Sequence, residues 1–372
     1  MITEQLVVQR IKSSSMDVQR ITSSGIDGEQ YVDGAVVDSN ERLIRGWGRF
    51  ESSVIPHCCV KPFYTIALIE SGAASKYDLD DQEIALATSS QGGERVHREL
   101  AQKWLTKLGL PKSAITSGTV APWSPEARKE LVLSSSRPSV FHYGSIGRHL
   151  SLLSICLAKG FPIENYKDPG HPVQQYVWSI IAPFFELDPN RIEPTIVELD
   201  ETPCPTFPLQ RLASAGVRFC TKATHNGSEA IRRIRHAMSS YPHLVTWPTH
   251  YINPVIEALN GKLFVTVGMH SVCMACHLPT RTGISFKIRD GSETLKLTSY
   301  LVPILKHLDL LTSTEWQRLA PLAEQEIFSY NGTRIGSIKA SFIPTTDFAK
   351  STAIPSNVLP EARQTGTIAP AN

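Results

Sequence analysis

Strand-like alternation is concentrated near the two ends of this chain, and helical periodicity fills the stretch between them. On the N-terminal side, Gly34-Ala-Val-Val37 and Leu43-Ile-Arg-Gly-Trp47 flank Asp38-Ser-Asn-Glu41, the pattern of a hairpin. On the C-terminal side, Leu263-Phe-Val-Thr-Val267 is a candidate strand. Ile284, Phe286 and Ile288 alternate with Ser285, Lys287 and Arg289, ahead of an Asp290-Gly291 turn and Leu295-Lys-Leu297 as the returning strand. Between them, Val96, Leu100, Trp104, Leu105 and Leu108 recur at helical spacing and are closed by Gly109 and Pro111. Leu152, Leu153, Cys156 and Leu157 mark a second helix, stopped by Gly160 and Pro162. Val173, Val177, Ile180 and Ile181 mark a third, and Ser228 reads as the N-cap of a fourth carrying Ile231, Ile234 and Met238. A sheet drawn from both ends requires the chain to leave it, build a helical domain and return. The cleft between two such parts is a natural ligand site.

The charge balance narrows the function classes. A net charge of +2 over 372 residues supplies no field that would hold a nucleic acid or an anionic membrane. Arg232, Arg233, Arg235 and His236 form the densest basic stretch, read as the solvated face of a helix. No apolar run reaches the roughly 18 residues of a membrane span, and the first residues lack the apolar run of a signal peptide. Seven cysteines, an odd number, fit free thiols in a reducing compartment, so the expected location is the cytoplasm. The Asn226 and Asn331 glycosylation patterns would then go unused.

A short duplication opens the chain: Val8-Gln-Arg-Ile-Lys-Ser-Ser-Ser-Met-Asp17 recurs as Val18-Gln-Arg-Ile-Thr-Ser-Ser-Gly-Ile-Asp27. Two copies cannot build a solenoid, so residues 1–30 are expected to form an extended or poorly ordered leader. The Ser-, Thr-, Pro- and Ala-rich residues 345–372 are expected to be a mobile tail.

Pro56-His-Cys-Cys-Val-Lys-Pro62 carries the most chemistry. It leads into Phe63, Ile66, Ala67 and Leu68, read as an amphipathic helix with Pro62 tolerated in its first turn. Cys58 and Lys61, three apart, share a face of such a helix start. A lysine there can take the thiol proton or stabilise the thiolate, and the helix N-terminus favours the anion too. The same spacing equally describes two buried cysteines beside a surface lysine. Cys273-Met-Ala-Cys-His277 has the spacing of haem c attachment, but that chemistry belongs to exported proteins. The same residues could offer two thiolates to zinc without a second pair at finger spacing, or be a buried loop. His270 could act as an acid–base group near neutral pH or simply bond to backbone.

These stretches do not stand alone. Over roughly residues 31–344 the chain resembles the L-asparaginase family first described from rhizobia. The family's Arg-Ser-x-x-Lys-Pro is similar to His57-Cys-Cys-Val-Lys-Pro62, and its Ala-Leu-x-Cys-Ala-Ser-His-Ser-x-Glu to Ala85-Leu-Ala-Thr-Ser-Ser-Gln-Gly-Gly-Glu94. Its Cys-Ser-Gly-Lys-His resembles Ser145-Ile-Gly-Arg-His149, and its Asp-His-Pro-x-Gln resembles Gly170-His-Pro-Val-Gln174. Pro203-Cys-Pro-Thr-Phe-Pro-Leu209 and the block from Gly283 to Gly291 complete six matches in one order.

The resemblance implies a serine β-lactamase-like α/β fold, with an antiparallel sheet flanked by helices plus an inserted helical domain. The sheet domain would come from residues 31–62 and 262–344, and the mainly helical domain from 63–261. It also implies a homodimer. In the resembled enzymes a serine attacks a side-chain amide, assisted by its lysine and a second Ser–Lys pair. Those positions fall on Cys58, Lys61, Ser90 and Thr266, so the nucleophile is exchanged and the second lysine is lost. His57 stands where the family has arginine. The family's zinc ligands fall on Ser145, Arg148 and the neighbourhood of Asp200, a set that does not suit zinc. No metal and no cofactor are therefore expected. Arg148 and His149 would instead edge a space for an anionic or carbonyl group.

The resulting expectation is an asparaginase-like enzyme acting on a small molecule other than L-asparagine. Cys58 would be the nucleophile, Lys61 and Ser90 would manage its proton, and His57, Arg148, His149, Thr266 and His270 would contact substrate. A non-hydrolytic cyclase or isomerase reusing the pocket is the alternative, and a non-catalytic binding relative the third reading.

Overall fold

The structure is a computed structural model describing residues 14–22, 25–188, 202–222, 229–291 and 297–344. Its main sheet is antiparallel throughout, with strands from both ends of the chain. These are β1 (Ser14–Thr22), β2 (Gly25–Val37) and β3 (Leu43–Trp47) from one end. A short pair, β4 (Ser53–Val54) and β5 (Phe207–Pro208), lies apart from them. From the other end come β6 (Leu263–Gly268), β7 (Val272–His277), β8 (Thr282–Ile288), β9 (Glu324–Phe328) and β10 (Arg334–Pro344). The order is β6-β7-β8-β2-β1-β10-β9, with β3 also on β2. The hairpin expected across Asp38–Glu41 forms, Gly34 pairing with Trp47.

Two expectations are corrected at the sheet. Residues 14–22 and 25–30 are not a poorly ordered leader: β1 lies between β2 and β10, pairing Val18 with Ala340 on one side and Gln30 on the other. The sequence around Asp17 and Gln19 does not mark a strand, because backbone pairing to β2 and β10, and not local alternation, makes it one. Leu297 is not in a returning strand either; it precedes the helix Thr298–His307, while β8 pairs with β2 and β7. Residues 1–13 and the expected tail at 345–372 lie outside the described residues, as do Ser228 and Asn226.

The segment between β3 and β6 is mainly helical: α1 (Lys61–Glu70), α2 (Asp81–Ala87), α3 (Arg95–Lys107), α4 (Pro125–Leu133), α5 (Ile146–Lys159), α6 (Pro172–Ile181), α7 (Leu209–Lys222), α8 (Glu229–Ser240) and α9 (Asn253–Leu259). After β8 come α10 (Thr298–His307) and α11 (Ser313–Ala323). Period two along the strands divides two cores. Leu263, Val265, Cys273, Ala275 and Phe286 face α9, α10 and α11. Phe264, Met274 and Cys276 face α7 and the helical body beyond it. Cys273 and Cys276 thus point to opposite faces of β7, which excludes their two thiols from gripping one metal.

Helix α1 is the axis of the helical body. It is not amphipathic as expected: every residue from Lys61 to Leu68 is buried. Phe63 packs against Phe184, Phe185 and Phe219 at ring separations of 4.7–5.3 Å. Burying one such ring contributes about 1.5–3 kcal/mol, which anchors the first turn of α1 and the residues just before it.

Candidate active site

Cys58 lies in a single 3-10 turn, His57–Val60, that feeds directly into α1. The Cys59 amide donates to the Pro56 carbonyl at 3.0 Å, closing the turn. The β6–β7 connection presses against it: a Cβ on Gly268 would lie 2.8 Å from the Pro56 carbonyl oxygen, so only glycine fits. On the same side Thr266 Oγ1 donates to the Cys59 carbonyl at 3.4 Å.

Three non-glycine residues at this junction take left-handed backbone angles: His57 at φ 48°, His270 at 54° and Ser271 at 59°. Such conformations cost about 1–2 kcal/mol each relative to ordinary ones and gather where surrounding structure imposes them. The His57 and His270 rings meet edge to face, 5.2 Å apart.

Ser90 arrives from the other side. Helix α2 ends at Ala87, and the chain is then fixed by Ser90 N–H to the Val245 carbonyl at 2.8 Å and Gln91 N–H to the Gly144 carbonyl at 3.0 Å. Gly147 makes this approach possible, since a Cβ there would sit 1.9 Å from the Leu86 carbonyl oxygen. The buried Lys61 closes the arrangement, with Nζ donating to the Ser89 carbonyl at 2.6 Å and to Ser90 Oγ at 3.1 Å.

Cys58 and Ser90 both line a cavity of about 250 Å³, together with Trp123, Trp247, His250 and Ser271. Arg128 from α4 reaches the same space, its Nε held by the Pro122 carbonyl at 2.6 Å. The His250 ring packs on Trp247 and Tyr251 at 4.3 and 4.1 Å. Burial holds its imidazole well below the usual histidine range, at about 3. The ring is neutral near pH 7, with Nδ1 accepting from the Ile252 amide at 3.3 Å. A neutral His250 wall leaves Arg128 as the cationic side chain among the described lining residues.

Of the expected site residues, Cys58, Lys61, Ser90 and Thr266 come together. Thr266 joins Cys58 and Ser90 around an adjoining void of about 20 Å³. His57 and His270 stand at the strained junction, and His270 is exposed rather than lining the cavity. Arg148 and His149 line neither space with Cys58. Both are fully buried at the start of α5, His149 Nδ1 being 2.7 Å from the Tyr166 hydroxyl and the Arg148 guanidinium 6.0 Å above the Tyr64 ring. The sequence reading missed Trp123, Arg128, Trp247 and His250. The aromatic and histidine content of Trp247-Pro-Thr-His-Tyr251 is the signal that could have found Trp247 and His250.

Among the described residues no group of three or more His, Cys, Asp or Glu side chains could hold a metal ion. Asp200 lies outside them.

No curated protein sequence matches this chain. Among solved structures it is similar to a beta-lactamase candidate from Bacteroides dorei DSM 17855, at 11% identity and a TM-score of 0.39, covering 82% of this chain and 97% of that one. It is also similar to a candidate 6-aminohexanoate-dimer hydrolase from Bacillus anthracis, at 14% identity and a TM-score of 0.36, covering 83% of each chain. The profile of the L-asparaginase II family matches residues 18–340, from β1 into β10. With most of its length inside that match, this chain belongs to the L-asparaginase II family.

Proposed function

We propose that this asparaginase-like protein is a thiol-dependent acyl-transfer enzyme acting on an amide or ester of a small molecule other than L-asparagine. The observation that carries the reading is the Lys61–Ser90 contact of 3.1 Å at a cavity that Cys58 also lines. Lys61 and Ser90 form a path by which a proton can leave the Cys58 thiol. The thiolate sulfur then bonds to the substrate carbonyl carbon. As the tetrahedral intermediate collapses, the carbon–nitrogen or carbon–oxygen bond breaks, and the leaving group takes the proton back through Ser90. Water, or an acceptor amine, attacks the thioester carbon, the carbon–sulfur bond breaks, and the thiol is restored. With the Cys59 amide given to the Pro56 carbonyl, the Cys58 backbone N–H at the start of the turn would serve as the oxyanion donor.

Thr266 supports a substrate other than asparagine. Its hydroxyl is engaged with the Cys59 carbonyl and brings no positive charge where the resembled enzymes carry a second lysine. All seven cysteines are free thiols, which supports a reducing compartment such as the cytoplasm. The homodimer is carried over from the resemblance, and sedimentation of the purified chain tests it.

The test is acylation by p-nitrophenyl acetate, followed by p-nitrophenolate release and by mass spectrometry of every cysteine peptide. The expected result is acetyl transfer to Cys58, lost in Cys58→Ala and partly kept in Cys58→Ser. Unchanged release by Cys58→Ala would overturn the reading in favour of non-thiol chemistry in the same pocket.

A further inference from the structure

A second, larger cavity of about 360 Å³ lies behind the first, between α8 and β6. Its inner surface is apolar, with Met238, Ile256, Leu263 and Val265, and its rim carries Arg232 and Arg235. Among the described residues, neither arginine forms an ion pair. Asp81, on the neighbouring α2, is engaged by Arg233 at 2.8 Å and stands 3.8 Å from His236 Nε2. The rim therefore offers two uncommitted guanidinium groups, the side chain best suited to grip a carboxylate through paired hydrogen bonds.

The 20 Å³ void adjoins both cavities through shared walls. It shares Met238, Val245, Ile256 and Val265 with the larger cavity, and Cys58, Ser90 and Val267 with the active cavity. Met238, an unbranched thioether that changes rotamer readily, lines both the void and the larger cavity. Cys58 consequently lines two spaces: the polar, aromatic cavity and the small apolar void, which shares walls with the arginine-rimmed one.

Resting on the acyl-transfer reading, we infer that the larger cavity receives the distal end of the acyl substrate. The substrate class is an acyl amide or ester with an apolar methylene body and a terminal carboxylate. The carboxylate pairs with Arg232 and Arg235, the methylenes lie along Met238 and Val265, and the reacting carbonyl stands at Cys58. A site of this shape rejects a short amino-acid amide, which cannot reach both ends at once.

The test uses binding to the full chain with Cys58→Ala, where no turnover enters. The probe is the monoamide of octanedioic acid, compared by calorimetry with its neutral diamide and with succinamate. The monoamide is expected to bind about tenfold more tightly than either, the scale of one charge-assisted contact. Arg232→Gln with Arg235→Gln should erase that preference, and Arg128→Gln should leave it. Met238→Trp should block the monoamide while sparing succinamate. In the unmutated protein the monoamide should protect Cys58 from iodoacetamide.

Equal binding of monoamide and diamide overturns the inference, as does loss of the preference in Arg128→Gln alone or binding that leaves Cys58 unprotected. These results are separable from failure of the acyl-transfer reading. Acetylation of Cys58 without any charge preference sinks the substrate class alone. Charge preference and protection without acetyl transfer leave the elongated site and sink the thiol chemistry.

Discussion

The openings of α1 and α5 began as similar recipes and ended as different things. Each combines a small nucleophilic or hydroxyl residue with a basic one at a helix start: Cys58 and Lys61 in the first, Ser145 and Arg148 in the second. At α1, the strained turn and Gly268 hold the thiol against about 250 Å³ of open space. At α5, Gly147 draws the helix onto α2, and Arg148 and His149 are sealed among Tyr64, Tyr143 and Tyr166. Residue type and spacing are shared, but free volume is not. A thiol beside open volume is available to a substrate, whereas a basic residue enclosed by aromatic rings serves as framework.

The sharpest way to break this contrast is to cut each opening and read both turnover and stability. Cys58→Ala should lower acyl turnover by about 10⁴-fold or more, leaving the denaturant midpoint nearly unchanged. Arg148→Ala should do the reverse, costing about 3 kcal/mol of stability through lost packing while leaving turnover of the folded fraction within about twofold. Loss of turnover without loss of stability in Arg148→Ala would place α5 in the active site after all.

Acid should act on the cavity wall next. Burial keeps His250 neutral, at about 3, and likewise His97, at about 4, where Nε2 lies 2.9 Å from the His243 carbonyl. Both values are depressed, so the unfolded chain binds more protons below its ordinary histidine range. Stability is full above about pH 6.5 and falls as pH drops toward 3, by on the order of 4 kcal/mol for His250. Denaturant midpoints at pH 7, 5 and 4 measure this, and His250→Phe should flatten the slope. A midpoint constant across that range contradicts the buried neutral ring.

Smaller effects refine the picture. Lys61→Met and Ser90→Ala should each reduce turnover about 10²-fold, if one amine serves the thiol through one hydroxyl. Equal losses in both, with the double variant no worse, would show them acting as a unit. His149→Phe removes the Tyr166 contact and should cost about 1 kcal/mol in stability with no change in KM.

Periodicity made the 34–47 hairpin and the helices at α3, α5 and α6 readable, because each is set by contacts within a few residues. The gathering of Cys58, Lys61, Ser90 and Thr266 was readable only through resemblance, since nothing local joins residues more than 200 positions apart. What escaped was decided by distant partners. β1 is polar in sequence and becomes a strand through β2 and β10. Lys61 is a surface residue by type and is buried because α1 is enclosed on every side. The Trp247–Tyr251 segment has no regular period, and forms a cavity wall only where the turn before α1 and the end of α2 bring Cys58 and Ser90 opposite it.

The left-handed trio of His57, His270 and Ser271 also sets the direction in which this protein can be made heat-tolerant. Glycine at any of the three would relax a backbone that these side chains oppose, so they rank among the first substitutions a thermal selection should recover. The same residues hold the turn carrying Cys58 against the β6–β7 connection. A lineage selected for heat alone would accordingly loosen that junction, trading reactivity for endurance at one small patch while the rest of the molecule stayed the same.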